Sequence, residues 1–229
     1  MNATRRVIVV TGGASGFGEA IVSRFASDSD LVVVADVDEL RARQVADNLT
    51  AAGLPAESET VDVTSEGEVA AMFDAIAERH GRLDALVCAA AVEARSSVVD
   101  CTDEEWQHVL DVNVKGPFLC CKHGIPAIAN SGGGAVVLLG SVLGAIGSPG
   151  YAAHCASKGA LTSLARQAAT EHAPDGVRVN VVEPAAADAG SGTAAELAAT
   201  VAFLCSNGAA YLSGAIIPLD QRMAARRVV

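Results

Sequence analysis

The segment from Val7 to Asp36 constrains the fold of this chain more than any other part of it. Four apolar residues, Val7–Val10, lead into the loop Thr11–Gly18, which reads TGGASGFG. A helical segment then leads to a second apolar run, which ends at Asp36. This order of elements is typical of a βαβ unit that binds a dinucleotide at its first turn: an apolar run, a glycine-rich turn, a helix and a second apolar run with a terminal acid.

The glycines of this turn suit the chemistry of a pyrophosphate. A pyrophosphate binds the N-terminus of a helix only where the backbone N–H groups come close, because the helix dipole acts at short range. Gly12 permits the turn, Gly16 permits the close approach, and Gly18 permits close packing of helix and strand. We therefore predict a dinucleotide site formed by these glycines together with Ser15 and Phe17.

Asp36 indicates which dinucleotide binds. A carboxylate at the end of the second strand accepts hydrogen bonds from the two hydroxyls of an adenosine ribose, and it repels a 2′-phosphate. The sequence therefore favours NAD(H), rather than its phosphorylated form, as the cofactor.

The length and the charge of the chain limit its domain count and its partners. Its 229 residues, of which 51% are hydrophobic, suit a single Rossmann-type domain over residues 1–229. Acidic residues outnumber basic ones by 27 to 16, and no run is rich in Lys and Arg. We therefore expect a small-molecule substrate, with no nucleic-acid partner and no membrane partner.

The six cysteines and the N-terminal residues favour a cytoplasmic protein. The cysteines lack paired metal-ligand spacing and several lie in apolar runs, so we expect reduced core residues and no metal site. No apolar leader precedes the first strand, and no uncharged apolar stretch reaches membrane-spanning length. These observations predict a cytoplasmic location.

Strand and helix patterns alternate along the rest of the chain. We predict further strands at residues 57–62, 83–89, 135–140, 177–182 and 216–219, and helices at 38–52, 65–79, 102–129, 151–172 and 194–206. Thr102 and Glu105 are predicted to form a capping box, and Pro117 is predicted to bend the long helix. Strict alternation favours a parallel sheet with helices on both faces.

The motifs, taken in order, resemble those of the short-chain dehydrogenase/reductase family over nearly the whole chain. The matching elements are Thr11–Gly18, Asp36, Asp62-Val63, Asn113-Val114 with Gly116, Ser141, residues 156–161, residues 177–180, Pro184 and residues 203–214. The resemblance implies a doubly wound α/β (Rossmann) fold, a three-layer sandwich with a seven-stranded parallel sheet of order 3-2-1-4-5-6-7. It also implies a homo-dimer or a homo-tetramer.

Members of this family exchange a hydride between nicotinamide and an alcohol or carbonyl carbon. The resemblance implies that Ser141 polarises the substrate oxygen, that Lys158 holds the nicotinamide ribose, and that Asn113 supports a water-filled proton path. It further implies that these residues contact the cofactor: Asp62, Val63, Ala89, Ala90, Lys158 and Pro184.

The position of the family's proton-transferring tyrosine holds His154, four residues before Lys158. Histidine transfers protons near neutral pH, and a lysine ammonium one helical turn away disfavours imidazolium. His154 is therefore expected to be a neutral base, which suits alcohol oxidation better than carbonyl reduction.

Tyr151 is an alternative proton donor, since residues 151, 154 and 158 share one helix face. In a third interpretation Tyr151 only lines the pocket and His154 is a hydrogen-bonded relic.

Two loops depart from the family pattern. Residues 88–91, Cys-Ala-Ala-Ala, replace Asn-Asn-Ala-Gly, and residues 184–189, Pro-Ala-Ala-Ala-Asp-Ala, replace Pro-Gly and a following threonine that holds the nicotinamide amide. From Pro184 the chain reaches the next helix near Glu196 in twelve residues, too few for the helical lid of the family. We expect an open cleft that holds the adenosine firmly and the nicotinamide loosely.

Three functions stay open on the sequence alone. The first is an NAD-dependent oxidoreductase for an alcohol or carbonyl substrate. The second is a non-redox isomerase, dehydratase or cyclase that uses His154 as its base. The third is a catalytically silent NAD-binding subunit.

Overall fold

Seven strands and eight α-helices make up the part of the chain that the computed structural model describes, residues 5–185 and 191–220. The strands are β1 Val7–Thr11, β2 Leu31–Asp36, β3 Ala56–Thr60, β4 Ala85–Cys88, β5 Gly134–Leu139, β6 Val177–Pro184 and β7 Ile216–Leu219. The helices are α1 Gly16–Ser27, α2 Glu39–Ala51, α3 Glu66–His80, α4 Asp103–Leu110, α5 Gly116–Asn130, α6 Leu143–Ile146, α7 Ala152–Glu171 and α8 Ser191–Leu204.

All the strands run parallel in one sheet, whose order is β3-β2-β1-β4-β5-β6-β7. At the end of β1, Thr11 pairs with Ala35 of β2 and with Cys88 of β4. The chain changes its winding direction between β1 and β4, and the crevice outside the carboxyl ends of the strands at such a point is where open α/β sheets bind ligands. The predicted fold and strand order are confirmed.

The two faces of the sheet carry separate apolar cores. Along β1, Val7 and Val9 belong to the core under α3, α5 and α7, whereas Ile8 and Val10 belong to the core under α1, α2 and α8. Phe25 on α1 is fully buried in the second of these cores. Burial of such a side chain contributes about 1.5–3 kcal/mol, so both helical layers are tightly bound to the sheet.

Local sequence signals set most of the helix ends. The Asp38 side chain caps α2 by accepting a hydrogen bond from the backbone N–H of Arg41 at 3.1 Å. Thr102 and Glu105 form the predicted capping box of α4, with N–H to oxygen distances of 3.1 and 3.2 Å. Gly81, with φ +67, ends α3 in the left-handed conformation that favours glycine.

The predicted single helix over residues 102–129 is divided in the structure. A π-helical turn, Asp111–Lys115, separates α4 from α5. Pro117 has no N–H to donate to the carbonyl of Asn113, so the α-helical hydrogen-bond ladder is interrupted there. The helix is therefore irregular in the turn that ends just before Pro117. The short helix α6 was not predicted.

The described residues contain no membrane-spanning helix, no metal-binding cluster and no disulfide bond. Within the described residues, no helix is long and apolar enough to cross a bilayer. The same residues hold no group of three or more His, Cys, Asp or Glu side chains arranged to bind a metal ion. All the cysteines are free thiols, and four of them are buried in the core as predicted: Cys88, Cys120, Cys121 and Cys205.

Candidate active site

Two glycines, one in the loop after β1 and one in the first turn of α1, lie where a larger residue would clash. Gly12 has φ +67, and a Cβ there would lie 2.5 Å from the backbone nitrogen of Ala90. At Gly18 a Cβ would lie 1.9 Å from the carbonyl oxygen of Gly12. The loop, the start of α1 and the turn after β4 therefore pack backbone against backbone.

Gly16 marks the open side of this loop. Its φ is +54, and no atom lies within 4 Å of the place where its Cβ would be. Ser15 is the N-cap residue of α1, and its side chain makes no capping hydrogen bond. The N-terminus of α1 thus borders open space, which fits a pyrophosphate held by backbone N–H groups. Phe17 lies in the first turn of α1 and packs against the core on that face.

Asp36 is bonded to the same loop. Its Oδ2 accepts a hydrogen bond from the backbone N–H of Ala14 at 3.0 Å, and its Oδ1 accepts one from the backbone N–H of Asp38 at 3.1 Å. A carboxylate has about four lone-pair sites, so capacity remains for further donors such as ribose hydroxyls. The bond to Ala14 gives Asp36 a second role, shaping the glycine loop, that the sequence pattern did not reveal.

The turns after β3 and β4 lie at the same edge of the sheet as the glycine loop. Asp62 Oδ1 accepts hydrogen bonds from the backbone N–H and the hydroxyl of Thr64, both at 2.8 Å. Val63 packs against Gly116, where a Cβ would lie 2.8 Å from Val63 Cγ2. Ala89 donates its backbone N–H to the carbonyl of Thr11 at 3.1 Å. The turns that carry Asp62, Val63, Ala89 and Ala90 therefore border the same crevice as the glycine loop, and their contact with a dinucleotide stays a prediction.

Lys158 and Ser141 both lie near the end of β5. The Lys158 side chain, from a residue that is only 5% exposed, donates a hydrogen bond to the carbonyl of Leu139 at 2.8 Å. Ser141 follows two residues later, and its Oγ accepts a hydrogen bond from the backbone N–H of Leu143 at 3.2 Å. Burial lowers the pKa of Lys158 to about 8, with a smaller opposing effect from Cys88.

Replacing Lys158 with Met should stabilise the protein while removing the ammonium group. Because folding lowers the pKa of Lys158, protonation of this lysine destabilises the folded wild type. The loss of stability develops as the pH falls from the ordinary lysine pKa to about 8, and it is complete below that pH. At pH 7 the variant is expected to gain up to ~3 kcal/mol in free energy of unfolding. Urea denaturation at pH 7 and at pH 10 measures this gain, which should shrink at the higher pH; a variant less stable at pH 7 would contradict it.

Asn113 lies in the π-helical turn and is fully buried. Its Oδ1 accepts a hydrogen bond from the backbone N–H of Val92 at 2.8 Å, and its Nδ2 donates to the carbonyl of Val92 at 2.9 Å. The same Nδ2 donates to Ser157 Oγ at 3.1 Å. Asn113 therefore ties the segment after β4 to the first half of α7.

His154 lies in the first turn of α7 and is half-buried. Burial is the largest cause that lowers the pKa of its imidazole, and the charge of Lys158 is the second. Glu93 and the backbone of Val92 act in the opposite direction. His154 Nδ1 is buried and has no hydrogen-bond partner among the described residues. The neutral ring is thus favoured, with burial rather than Lys158 as the main reason.

Tyr151 is not on the helix, so the prediction that it shares a helix face with His154 and Lys158 is wrong. It is the N-cap residue of α7, with φ −130 and ψ 40. A parallel bridge to Ser96 holds its backbone in this conformation. Its ring nonetheless stands edge-on to the imidazole of His154, with 6.2 Å between ring centroids and an interplanar angle of 70°.

Residues Val92–Ser96, which we call the strap, lie in a stretch that the sequence suggests as mostly small, apolar cleft lining, and its two charges were not singled out. It crosses from the end of β4 to the start of α7 and carries Glu93 and Arg95, whose side chains pair at 3.2 Å. The guanidinium of Arg95 lies 5.4 Å from the centroid of the Tyr151 ring. Two charges in a loop without periodicity give no sequence signal. A surface cavity of about 490 Å³ borders Arg95, Ser96 and Tyr151.

The last predicted cofactor residue, Pro184, ends β6 beside Ser141. Its carbonyl accepts a hydrogen bond from the backbone N–H of Val142 at 3.2 Å. Ala185, the next residue, is buried and donates its N–H to Leu219 at 3.0 Å. The remaining departures from the family pattern, Ala186 to Ala189, lie outside the described residues.

The carboxyl edge of the sheet thus carries a glycine-rich loop, and the end of β5 and the start of α7 add a serine hydroxyl, a buried lysine and an imidazole. This combination fits a Rossmann-type oxidoreductase. The family model of the short chain dehydrogenases matches residues 6–200. The chain belongs to the short-chain dehydrogenase/reductase family, whose members typically bind a nicotinamide cofactor.

Three proteins illustrate this relationship. The chain is 35% identical to cis-4-hydroxycyclohexanecarboxylate dehydrogenase of Sinomonas cyclohexanicum over 94% of its length and 95% of that protein. It is 34% identical to meso-2,3-butanediol dehydrogenase of Serratia marcescens over 96% of its length and 95% of that protein. The crystal structure of a short chain dehydrogenase from Mycobacterium smegmatis matches with a TM-score of 0.89 at 32% identity, over 94% of this chain and 92% of that one.

Proposed function

We propose that this protein oxidises an alcohol with NAD⁺ and that His154 takes the hydroxyl proton. The observation that carries this proposal is the half-buried imidazole, whose lowered pKa keeps it neutral. A neutral imidazole has one nitrogen lone pair free, so it can act as a base at neutral pH. When bound, NAD⁺ supplies the acceptor for the hydride that leaves the substrate carbon.

Three further side chains support this reaction. Ser141 donates its hydroxyl hydrogen to the substrate oxygen. Lys158 gives one N–H to Leu139, which leaves two for the nicotinamide ribose. Asn113 acts through its bonds to Val92 and Ser157, which hold the strap and α7 at a fixed separation. The water-filled proton path expected near Asn113 stays a prediction.

We propose NAD⁺ rather than its phosphorylated form because of Asp36. The hydrogen bond from Ala14 holds the carboxylate beside the cradle, where its negative charge would meet a 2′-phosphate. The adenosine ribose, in contrast, would donate its two hydroxyls to the free lone pairs of Asp36.

Asp36→Ala should therefore weaken NAD binding and reduce discrimination against NADP. Loss of hydrogen bonds to a charged acceptor is expected to raise the Kd for NAD by about tenfold or more. Calorimetric titration of both dinucleotides measures the change. Asp36→Asn is the matched control for the charge, because its one side-chain oxygen can still accept from Ala14, whereas its NH2 group cannot accept from Asp38. Unchanged affinities of Asp36→Ala for both dinucleotides would refute this role.

The substrate class follows from the relatives rather than from the cleft. Two of them, a hydroxycyclohexanecarboxylate dehydrogenase and a butanediol dehydrogenase, are named after substrates that are secondary alcohols. We therefore propose a small or medium secondary alcohol. Absorbance of reduced nicotinamide, recorded with NAD⁺ and a panel of such alcohols, tests the reaction. NAD binding without turnover of any substrate would favour a silent subunit, and turnover without reduced nicotinamide would favour a non-redox enzyme.

We also propose that the protein forms a homo-dimer or homo-tetramer. Large apolar side chains are exposed before and along α4 and α5, and they include Val98, Val99, Trp106 and Phe118. Exposed apolar patches of this kind mark protein interfaces. The cytoplasmic location stays a prediction.

A further inference from the structure

The strap Val92–Ser96 is fixed at both of its ends. At one end, Asn113 bonds both the backbone N–H and the carbonyl of Val92. At the other end, the carbonyl of Ser96 accepts a hydrogen bond from the N–H of Ala152 at 3.2 Å, and Ser96 bridges to Tyr151. Glu93 and Arg95 therefore sit on a segment that is docked against the first turn of α7, which carries His154.

Three charged side chains and one aromatic ring belong to the elements that meet near His154. Lys158 approaches from α7, whereas Glu93 and Arg95 belong to the strap. Arg95 pairs with Glu93 at 3.2 Å and also lies over the ring of Tyr151 at 5.4 Å. The Tyr151 ring in turn meets the imidazole edge-on at 6.2 Å. The strap thus carries one negative and one positive charge on a segment that is docked against the helical turn holding His154.

We propose that Glu93 is a positioning residue that supplies the counter-charge for the imidazolium form of His154, and that Arg95 limits this effect by pairing with the Glu93 carboxylate. This inference rests on the proposed function of His154 as a base. In that reaction the alcohol O–H bond breaks and its proton moves to a ring nitrogen of His154. Bound NAD⁺ would accept the C–H electron pair as hydride, and the oxygen would keep the O–H pair to form the carbonyl.

The physical need for a counter-charge follows from the surroundings of His154. Burial and the Lys158 ammonium both disfavour the imidazolium that proton transfer creates, and both lower the pKa of the ring. Among the charged side chains acting on His154 in the described structure, only Glu93 raises that pKa. The Glu93 side chain is 46% exposed, so solvent screens its charge and its effect is modest.

Titration of the histidine ring signals by NMR in the full chain tests this inference without any substrate. The His154 signal is assigned by its absence from the His154→Phe spectrum. Glu93→Gln should lower the pKa of His154, because it removes the counter-charge. Arg95→Gln should raise that pKa, because it removes the cation that pairs with the Glu93 carboxylate. Glu78→Gln removes the same charge from an exposed site on α3 and should leave the His154 titration unchanged.

Turnover provides the second readout. With Glu93→Gln, the acid limb of kcat/KM against pH should move to lower pH, while the plateau falls about two- to fivefold. A merely structural role of Glu93 would lower the plateau without moving the limb.

The outcomes separate this inference from the proposed function. If neither strap variant moves the His154 titration, or both move it in one direction, the inference about Glu93 is wrong, whatever the activity. If the titration moves as expected but His154→Phe keeps full turnover, the proposed function of His154 is wrong while the electrostatic coupling stands.

Discussion

His154→Phe is expected to reduce kcat for alcohol oxidation by about 10²- to 10⁴-fold, the usual effect of removing a general base. Phenylalanine fills the half-buried site without a lone pair, so no other group at that position accepts the hydroxyl proton. The affinity for NAD should stay close to that of the wild type, because the cradle at Gly12–Gly18 is formed by other elements. Steady-state kinetics and calorimetric titration of NAD measure the two effects.

Tyr151→Phe is the variant that discriminates between the two proton carriers. It keeps the ring that contacts His154 and Arg95 and removes only the phenol hydroxyl. We expect most of the turnover to remain. If Tyr151→Phe loses activity and His154→Phe keeps it, the phenol carries the proton. If neither substitution affects turnover, both assignments are wrong.

Gly18→Ala is expected to raise the Kd for NAD by about 10²-fold and to lower the stability of the protein. An added Cβ would lie 1.9 Å from the carbonyl oxygen of Gly12, so either the loop or α1 must move. Overpacking of this kind costs about 1–3 kcal/mol, and displacement of the loop would remove the N–H groups from the pyrophosphate. Calorimetric titration with NAD and urea denaturation record the two losses.

Gly67→Ala is the matched control for this experiment. Gly67 also lies in the first turn of a helix, α3, and no atom is within 4 Å of its Cβ position. Alanine there should raise stability by roughly 0.5–1 kcal/mol and leave NAD binding unchanged. Wild-type NAD affinity in Gly18→Ala would show that the cradle does not hold the dinucleotide.

The elements that were predicted well are those that follow from local periodicity or from the family resemblance. The strand order is confirmed, and β7 has the predicted bounds, Ile216–Leu219. Prediction failed where a contact distant in sequence overrides local preference. Tyr151 was expected as the first residue of a helix, but it bridges to Ser96 and lies at φ −130 before α7 begins. The π-helical turn at Asp111–Lys115 was likewise not visible in the helical pattern.

The sequence by itself determined the family, the glycine cradle and the chemical groups of the site, including an imidazole in place of a phenol at His154. Only the tertiary structure decided how these groups ionise and which neighbours act on them. Burial lowers the pKa values of His154 and Lys158, and the strap brings Glu93 to a ring far along the chain. The physical reason is that solvation and Coulomb interactions depend on distance and burial in space, and a linear pattern of residues specifies neither.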